Sequence, residues 1–75
     1  MRTLGEIPNP ECKISLFSWN GKYLVKFEQG PFEQTFKFDH LEFEGEADLK
    51  NRLDAKFIRG VVSHFAEMAR LQFEV

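Results

Sequence analysis

The sequence predicts an α+β domain of two layers: an antiparallel β-meander of three or four strands, followed by a C-terminal helical region (one short helix, one long) packed on one face. Three observations carry this expectation. An Asn-Gly pair at 20–21 separates two strand-forming runs, the strongest short-range signal for a β-hairpin. Phe32 to Asp39 (FEQTFKFD) alternates apolar and polar residues with the period of a half-buried strand. After Gly45 the apolar period lengthens from two to about 3.6 residues.

The elements follow in order. Residues 1–11 (MRTLGEIPNPE) contain Gly5, Pro8 and Pro10 and are expected to form an irregular arm, with Leu4 and Ile7 able to tuck it against the body. Residues 12–75 are expected to form a single ββββα-type domain. Its first strand runs from Cys12 to Trp19 and its second from Lys22 to Gln29. A two-residue type I′ loop at Asn20-Gly21 fixes their register, because both central residues need positive φ and Asn and Gly tolerate it best. Trp19 then opposes Lys22, Phe17 opposes Leu24, Leu16 opposes Val25, Ile14 opposes Phe27 and Lys13 opposes Glu28.

Alternation sorts these pairs into two faces. Ile14, Leu16, Tyr23, Val25 and Phe27 share the face expected to be core. Lys13, Ser15, Phe17, Trp19, Lys22, Leu24, Lys26 and Glu28 share the other, and a slip of one residue would mix the two sets. Gly30-Pro31 marks the next turn. Setting Val25 opposite Phe36 and Tyr23 opposite Phe38 adds both phenylalanines to the core face and leaves Thr35 and Lys37 outside. His40 to Glu44 (HLEFE) is expected to give a weaker fourth strand. Glu46 to Leu53 is expected to form a short helix, and Asp54 to cap a second one over Ala55 to about Phe73. The second helix carries a wide stripe of Phe57, Ile58, Val61, Val62, Phe65, Met68, Ala69 and Phe73. One continuous helix over 46–73 is the alternative.

Composition bounds the function classes. Seventy-five residues, 43% hydrophobic and 29% charged, describe one small globular domain, and nine Phe supply an unusually aromatic core for that length. A net charge of −2 argues against a chain held on nucleic acid by bulk electrostatics. A single cysteine, Cys12, leaves no internal disulfide and no Cys-based zinc site. No apolar run approaches the roughly 20 residues that span a bilayer, and Met1 to Pro10 lacks the apolar core of a signal peptide, so no membrane role is expected and a cytoplasmic location is.

The candidate site is the face the helices do not cover. Phe17, Trp19 and Leu24 lie there among Lys22, Lys26 and Lys37, and clustered apolar side chains on an open face point to a partner. Three readings compete: the N-terminal arm folds back over the patch; the patch is a protein interface, self-association to a homodimer included; or Trp19 and Phe17 stack the bases of a single-stranded nucleic acid while the lysines hold its phosphates. A protein partner is favoured over nucleic acid, because Glu28 and Glu33 lie nearby and the chain is acidic overall. Asp39 to Asp48 holds five carboxylates without the spacing of a calcium loop, and is expected to be a solvated edge. His40 and His64 stand in no nucleophile–base pattern, and nothing marks Cys12 as activated. The expectation is a non-enzymatic protein with no cofactor and no metal.

The order Pro10-Glu11-Cys12-Lys13, Leu16-Phe17-Ser18-Trp19-Asn20, Lys26-Phe27-Glu28-Gln29-Gly30 and Glu33-Gln34-Thr35-Phe36-Lys37 resembles a family of short uncharacterised bacterial proteins of the Bacteroidetes type. That resemblance implies a small cytoplasmic protein and brings no functional residues with it. In element order the chain is also similar to the Whirly and Pur-type single-stranded nucleic-acid binders, dimers that pair a curved meander with a C-terminal helix, although it shows no motif of either.

Overall fold

The computed structural model describes residues 1–75 as four antiparallel strands, β1 (Arg2–Ile7), β2 (Lys13–Trp19), β3 (Lys22–Gln29) and β4 (Phe32–Asp39), joined as a meander in the spatial order β1-β2-β3-β4. A short helix α1 (Glu46–Arg52) and a long helix α2 (Ala55–Phe73) follow. The domain is α+β with both helices after the sheet. No helix is long and apolar enough to cross a membrane.

The hairpin of β2 and β3 closes at Asn20 (φ 55°) and Gly21 (φ 75°), both in the left-handed region that a type I′ turn requires. The register is the one this turn dictates, from Trp19 opposite Lys22 to Lys13 opposite Glu28. Strand β4 continues it, with Tyr23 opposite Phe38 and Val25 opposite Phe36.

Two expectations are corrected. The N-terminal segment is a strand over most of its length, Arg2–Ile7, and the irregular stretch that follows is confined to residues 8–12. Strand β1 pairs with β2 through Arg2–Ser18, Thr3–Phe17, Gly5–Leu16, Glu6–Ser15 and Ile7–Ile14, with a bulge between Thr3 and Gly5. Gly5 takes φ 114°, a conformation other residues rarely adopt, so the glycine that looks like a strand breaker lets this strand bulge and stay paired. Residues 40–44 form no fourth strand. The Asp39 side chain accepts a hydrogen bond from the Leu41 N–H (3.1 Å), turning His40–Glu42 into a single 3₁₀ turn. Leu41, which alternation would place on one side of a strand, is almost wholly exposed.

The core lies between the sheet and both helices. Ile14, Leu16, Val25 and Phe27 are sealed on the sheet side, and Leu49, Leu53, Val61 and Phe65 on the helix side. Leu4 and Ile7 of β1 pack against this cluster, so the segment widens the sheet and its apolar side chains join the covered face. The rings form a connected seam: Phe27 meets Phe36 edge-on at 5.8 Å, Phe57 lies 5.3 Å from Phe36, Phe38 meets Phe43 at 5.6 Å, and Phe43 meets Tyr23 at 6.0 Å. Such pairs add about 0.5–1.5 kcal/mol each beyond the area they bury. Gln34, on the core face of β4, donates from Nε2 to the carbonyl of Val61 (2.9 Å) and ties the edge strand to α2.

The helices are two and not one. The chain leaves helical geometry at Leu53 (ψ 65°), and Asp54 is extended. The Asp54 carboxylate accepts from the Phe57 N–H (2.9 Å) and starts α2 afresh. In α1, Asp48 accepts from the Glu44 N–H (3.0 Å) and from the Arg52 guanidinium through two bonds (3.2 and 3.1 Å). The Glu44 amide first, and Arg52 with it, hold the Asp48 carboxyl below its ordinary value of 3.8. A depressed folded-state pKa stabilises the ionised form, so this contribution is complete above the ordinary value and is lost as pH falls through the folded one. Acidification below about pH 4 is therefore expected to lower the protection of the Glu44 and α1 amides, measured against the intrinsic exchange rate at each pH, while the strands stay protected. Asp48→Asn should show the lower protection already at neutral pH and no further fall with acid, and equal acid sensitivity in both proteins would refute this account.

Candidate functional site

The open face of the sheet is built by alternation along three strands. Opposed pairs on it are Trp19–Lys22, Phe17–Leu24 and Ser15–Lys26 between β2 and β3, and Lys22–Asp39, Leu24–Lys37 and Lys26–Thr35 between β3 and β4. All six residues singled out from the sequence (Phe17, Trp19, Lys22, Leu24, Lys26 and Lys37) thus share one surface. Strand β1 adds Thr3 and Glu6 beside it.

The six differ in depth. Trp19 is 53% exposed and stacks on no other ring, whereas Phe17 is half-buried and Leu24 only 7% exposed. Leu24 sits in the middle of the face with Phe17 on one side and Lys37 on the other, so its neighbours shield it although no second layer does. The apolar strip is Trp19 standing out from a floor of Phe17 and Leu24. A depression of about 130 Å³ lies between Trp19, Asn20, Lys22, Leu24 and Lys37. A second, of about 240 Å³, lies between Met1, Phe17, Leu24, Lys26, Glu33 and Thr35.

The electrostatics of the rim are balanced. Lys22 pairs with Asp39 and Lys26 with Glu33, each at 3.9 Å, while Lys37 takes part in no ion pair. Exposed pairs of this kind contribute about 0–1 kcal/mol, but they neutralise two of the three lysines that phosphates would need. Glu28 and Glu33 stand opposite one another at the far end of the same face.

Other chemistry-bearing residues are engaged elsewhere. Cys12 is buried against the core; burial, and then the neighbouring Glu11 carboxylate, push its thiol up, which leaves little thiolate at neutral pH. The pair that sequence reasoning missed is Ser18 and His40, joined by a 3.1 Å hydrogen bond between Oγ and Nε2. The His40 ring lies 4.1 Å from that of Tyr23, and its backbone N–H donates to the carbonyl of Gly21 (3.0 Å). No carboxylate bonds to the other imidazole nitrogen and no cavity opens on the pair, so His40 closes the end of the sheet beside the hairpin turn. A signal for it was present: the hairpin register puts Ser18 and Tyr23 opposite each other, and His40 immediately follows the residue that faces Lys22.

The acidic run divides its tasks in the same way. Asp39 caps the 3₁₀ turn, Asp48 holds α1, and Glu46 lies 3.8 Å from Arg2 on β1. Phe43 carries the Arg52 guanidinium over its ring at 4.8 Å. No protein-family model, curated protein or solved structure matches the chain.

Proposed function

We propose that the chain is a non-enzymatic binding module that engages a protein partner through the open face of its sheet. The observation that carries this reading is Trp19: a large ring left half in water at the head of an apolar strip, stacked on no other ring of its own chain. A tryptophan in that setting is the residue type that most often dominates an interface, with a neutralised polar rim around it. Phe17 and Leu24 form the floor against which a partner's apolar group packs, and Lys22, Lys26 and Lys37 with their acidic neighbours form the rim. The balanced charge of that rim suits a protein surface better than a polyphosphate backbone.

The reading is tested by a photo-crosslinking side chain placed at Lys37, with Lys50 on α1 as the control position, in cells that make the protein. A discrete protein adduct from position 37 alone is expected, reduced at least about thirtyfold by Trp19→Ala, the effect of losing an interface anchor. Being exposed, Trp19→Ala should leave stability within about 0.5 kcal/mol of the parent, so lost binding is not lost folding. Equal adducts from both positions, or none from either, would sink the proposal. Trp19 is the single tryptophan, so its emission separates the remaining versions. Quenching by single-stranded oligonucleotides that fades steeply with salt would replace the protein partner with nucleic acid. A blue shift with rising protein concentration would make the partner a second copy meeting sheet to sheet.

A further inference from the structure

We propose that α2 is a self-association surface, distinct from the open sheet face, on which two copies pair their long helices antiparallel. The observation is a groove of about 430 Å³ between β4 and α2, floored by Phe36, Phe57 and Val61 and bordered by Gly60, Lys56 and His64. A Cβ built on Gly60 would meet nothing within 4 Å, so the chain itself leaves this notch open. Further along the same helix stands Leu71, 51% exposed.

With about 100° of rotation per residue, Gly60, His64, Glu67 and Leu71 fall on one line along α2. Their spacings of four, three and four residues read the same in both directions. An antiparallel copy, related by a two-fold axis between His64 and Glu67, therefore sets Leu71 of each helix against Gly60 of the other, about 16 Å along the axis. Leu71 enters the notch above Phe57 and Val61, and the missing Cβ lets the helices approach at the short end of the usual 8–10 Å separation.

The charges agree with that register. His64 comes opposite Glu67, whose carboxylate already accepts from Arg70, and Lys56 comes opposite Val75, beside the Glu74 carboxylate that Arg70 also holds. A parallel pairing would instead stack Leu71 on Leu71 beside an unfilled notch and set Glu67 against Glu67. The occupant the groove fits is thus a second copy of this chain, contributing an apolar side chain flanked by carboxylates. Pairing along α2 leaves both open sheet faces turned away from the axis, so the dimer presents the binding surface twice.

Sedimentation equilibrium of the full chain through the micromolar range tests this. A monomer–dimer equilibrium is expected, weakened at least about thirtyfold by Leu71→Glu. Gly60→Leu should weaken it similarly while folding at least as well, since it gains helix propensity in open space. Phe73→Glu is the control: this ring is 93% exposed but points away from the line, so the dimer constant should change less than about threefold. Trp19→Ala should leave it unchanged. Monomer at every concentration would overturn the proposal, as would equal weakening by Leu71→Glu and Phe73→Glu. Dissociation by Trp19→Ala would move the contact to the sheet face and overturn it too, while sparing the binding role proposed for that face.

Discussion

Phe27→Ala is expected to cost about 3–5 kcal/mol, the largest effect of any single truncation in the chain. Phe27 is fully buried in the middle of the core face, opposite Ile14 on β2 and Gln34 on β4. Its ring meets the edge of Phe36 at 5.8 Å and lies 6.0 Å from Phe57, so it touches sheet and helix together. Truncation removes both ring contacts and leaves a cavity that a rigid strand on one side and a capped helix on the other cannot close. A domain of this length has a total stability of about 4–11 kcal/mol, so the variant is expected to lose from about a quarter of it to all of it. In thermal unfolding the midpoint should fall by at least roughly 12 °C. Phe73→Ala, the same substitution at a ring 93% exposed, should stay within about 0.5 kcal/mol of the parent. Comparable losses at the two positions would show that the ring seam is not what holds the layers together.

The contrast between these two phenylalanines is also a contrast in what a sequence discloses. Phe27 is placed by counting from the Asn20-Gly21 turn, because a two-residue loop with both φ values positive permits one register, and that register lines up every apolar residue of β2 and β3 on a defined side. The same counting places Phe17, Trp19, Leu24, Lys22, Lys26 and Lys37 on one face. It could not give depth. Leu24 and Trp19 are equivalent in the alternation, yet one is shielded and the other stands free, because shielding depends on which side chains from neighbouring strands reach across. Gln34 and His40 were missed for a related reason. Each is held by a side-chain hydrogen bond to a partner 27 or 22 residues away, which alternation does not specify, although for His40 the hairpin register places Ser18 and Tyr23 close by. The helical stripe places Phe57, Ile58, Val61, Val62, Phe65 and Met68 against the core, but its last members, Ala69 and Phe73, are exposed because α2 runs on past the cluster that the sheet offers it. Leu71 lies outside the stripe and gains meaning only beside the open groove at Gly60.

Removing residues 1–7 is expected to cost at least about 2 kcal/mol, although the segment reads from its glycine and prolines as an arm whose loss should be nearly neutral. The difference lies in what β2 borders. With β1 in place, Ile14 is 1% and Leu16 0% exposed, lying opposite Ile7 and Gly5. Without it, β2 becomes an edge, these two core side chains gain a solvent-facing flank, and the packing of Leu4 and Ile7 on the cluster is lost. Ordering seven residues takes back much of that gain through chain entropy, which is why the net effect is a few kcal/mol and not the sum of the contacts. Hydrogen exchange separates the two accounts more sharply than a melting curve. Truncation of a strand should release the β2 amides that bonded to β1 and leave the β3–β4 ladder protected, whereas loss of a loose arm should release neither. The bulge gives a second handle. Gly5→Val forces a β-branched side chain to φ 114° in a strand that cannot bulge without it, and should free the same β2 amides in the full-length chain. Glu6→Ala, one residue along and pointing to solvent, should free none. If Gly5→Val and Glu6→Ala behave alike, the ladder between β1 and β2 does not seal this side of the core.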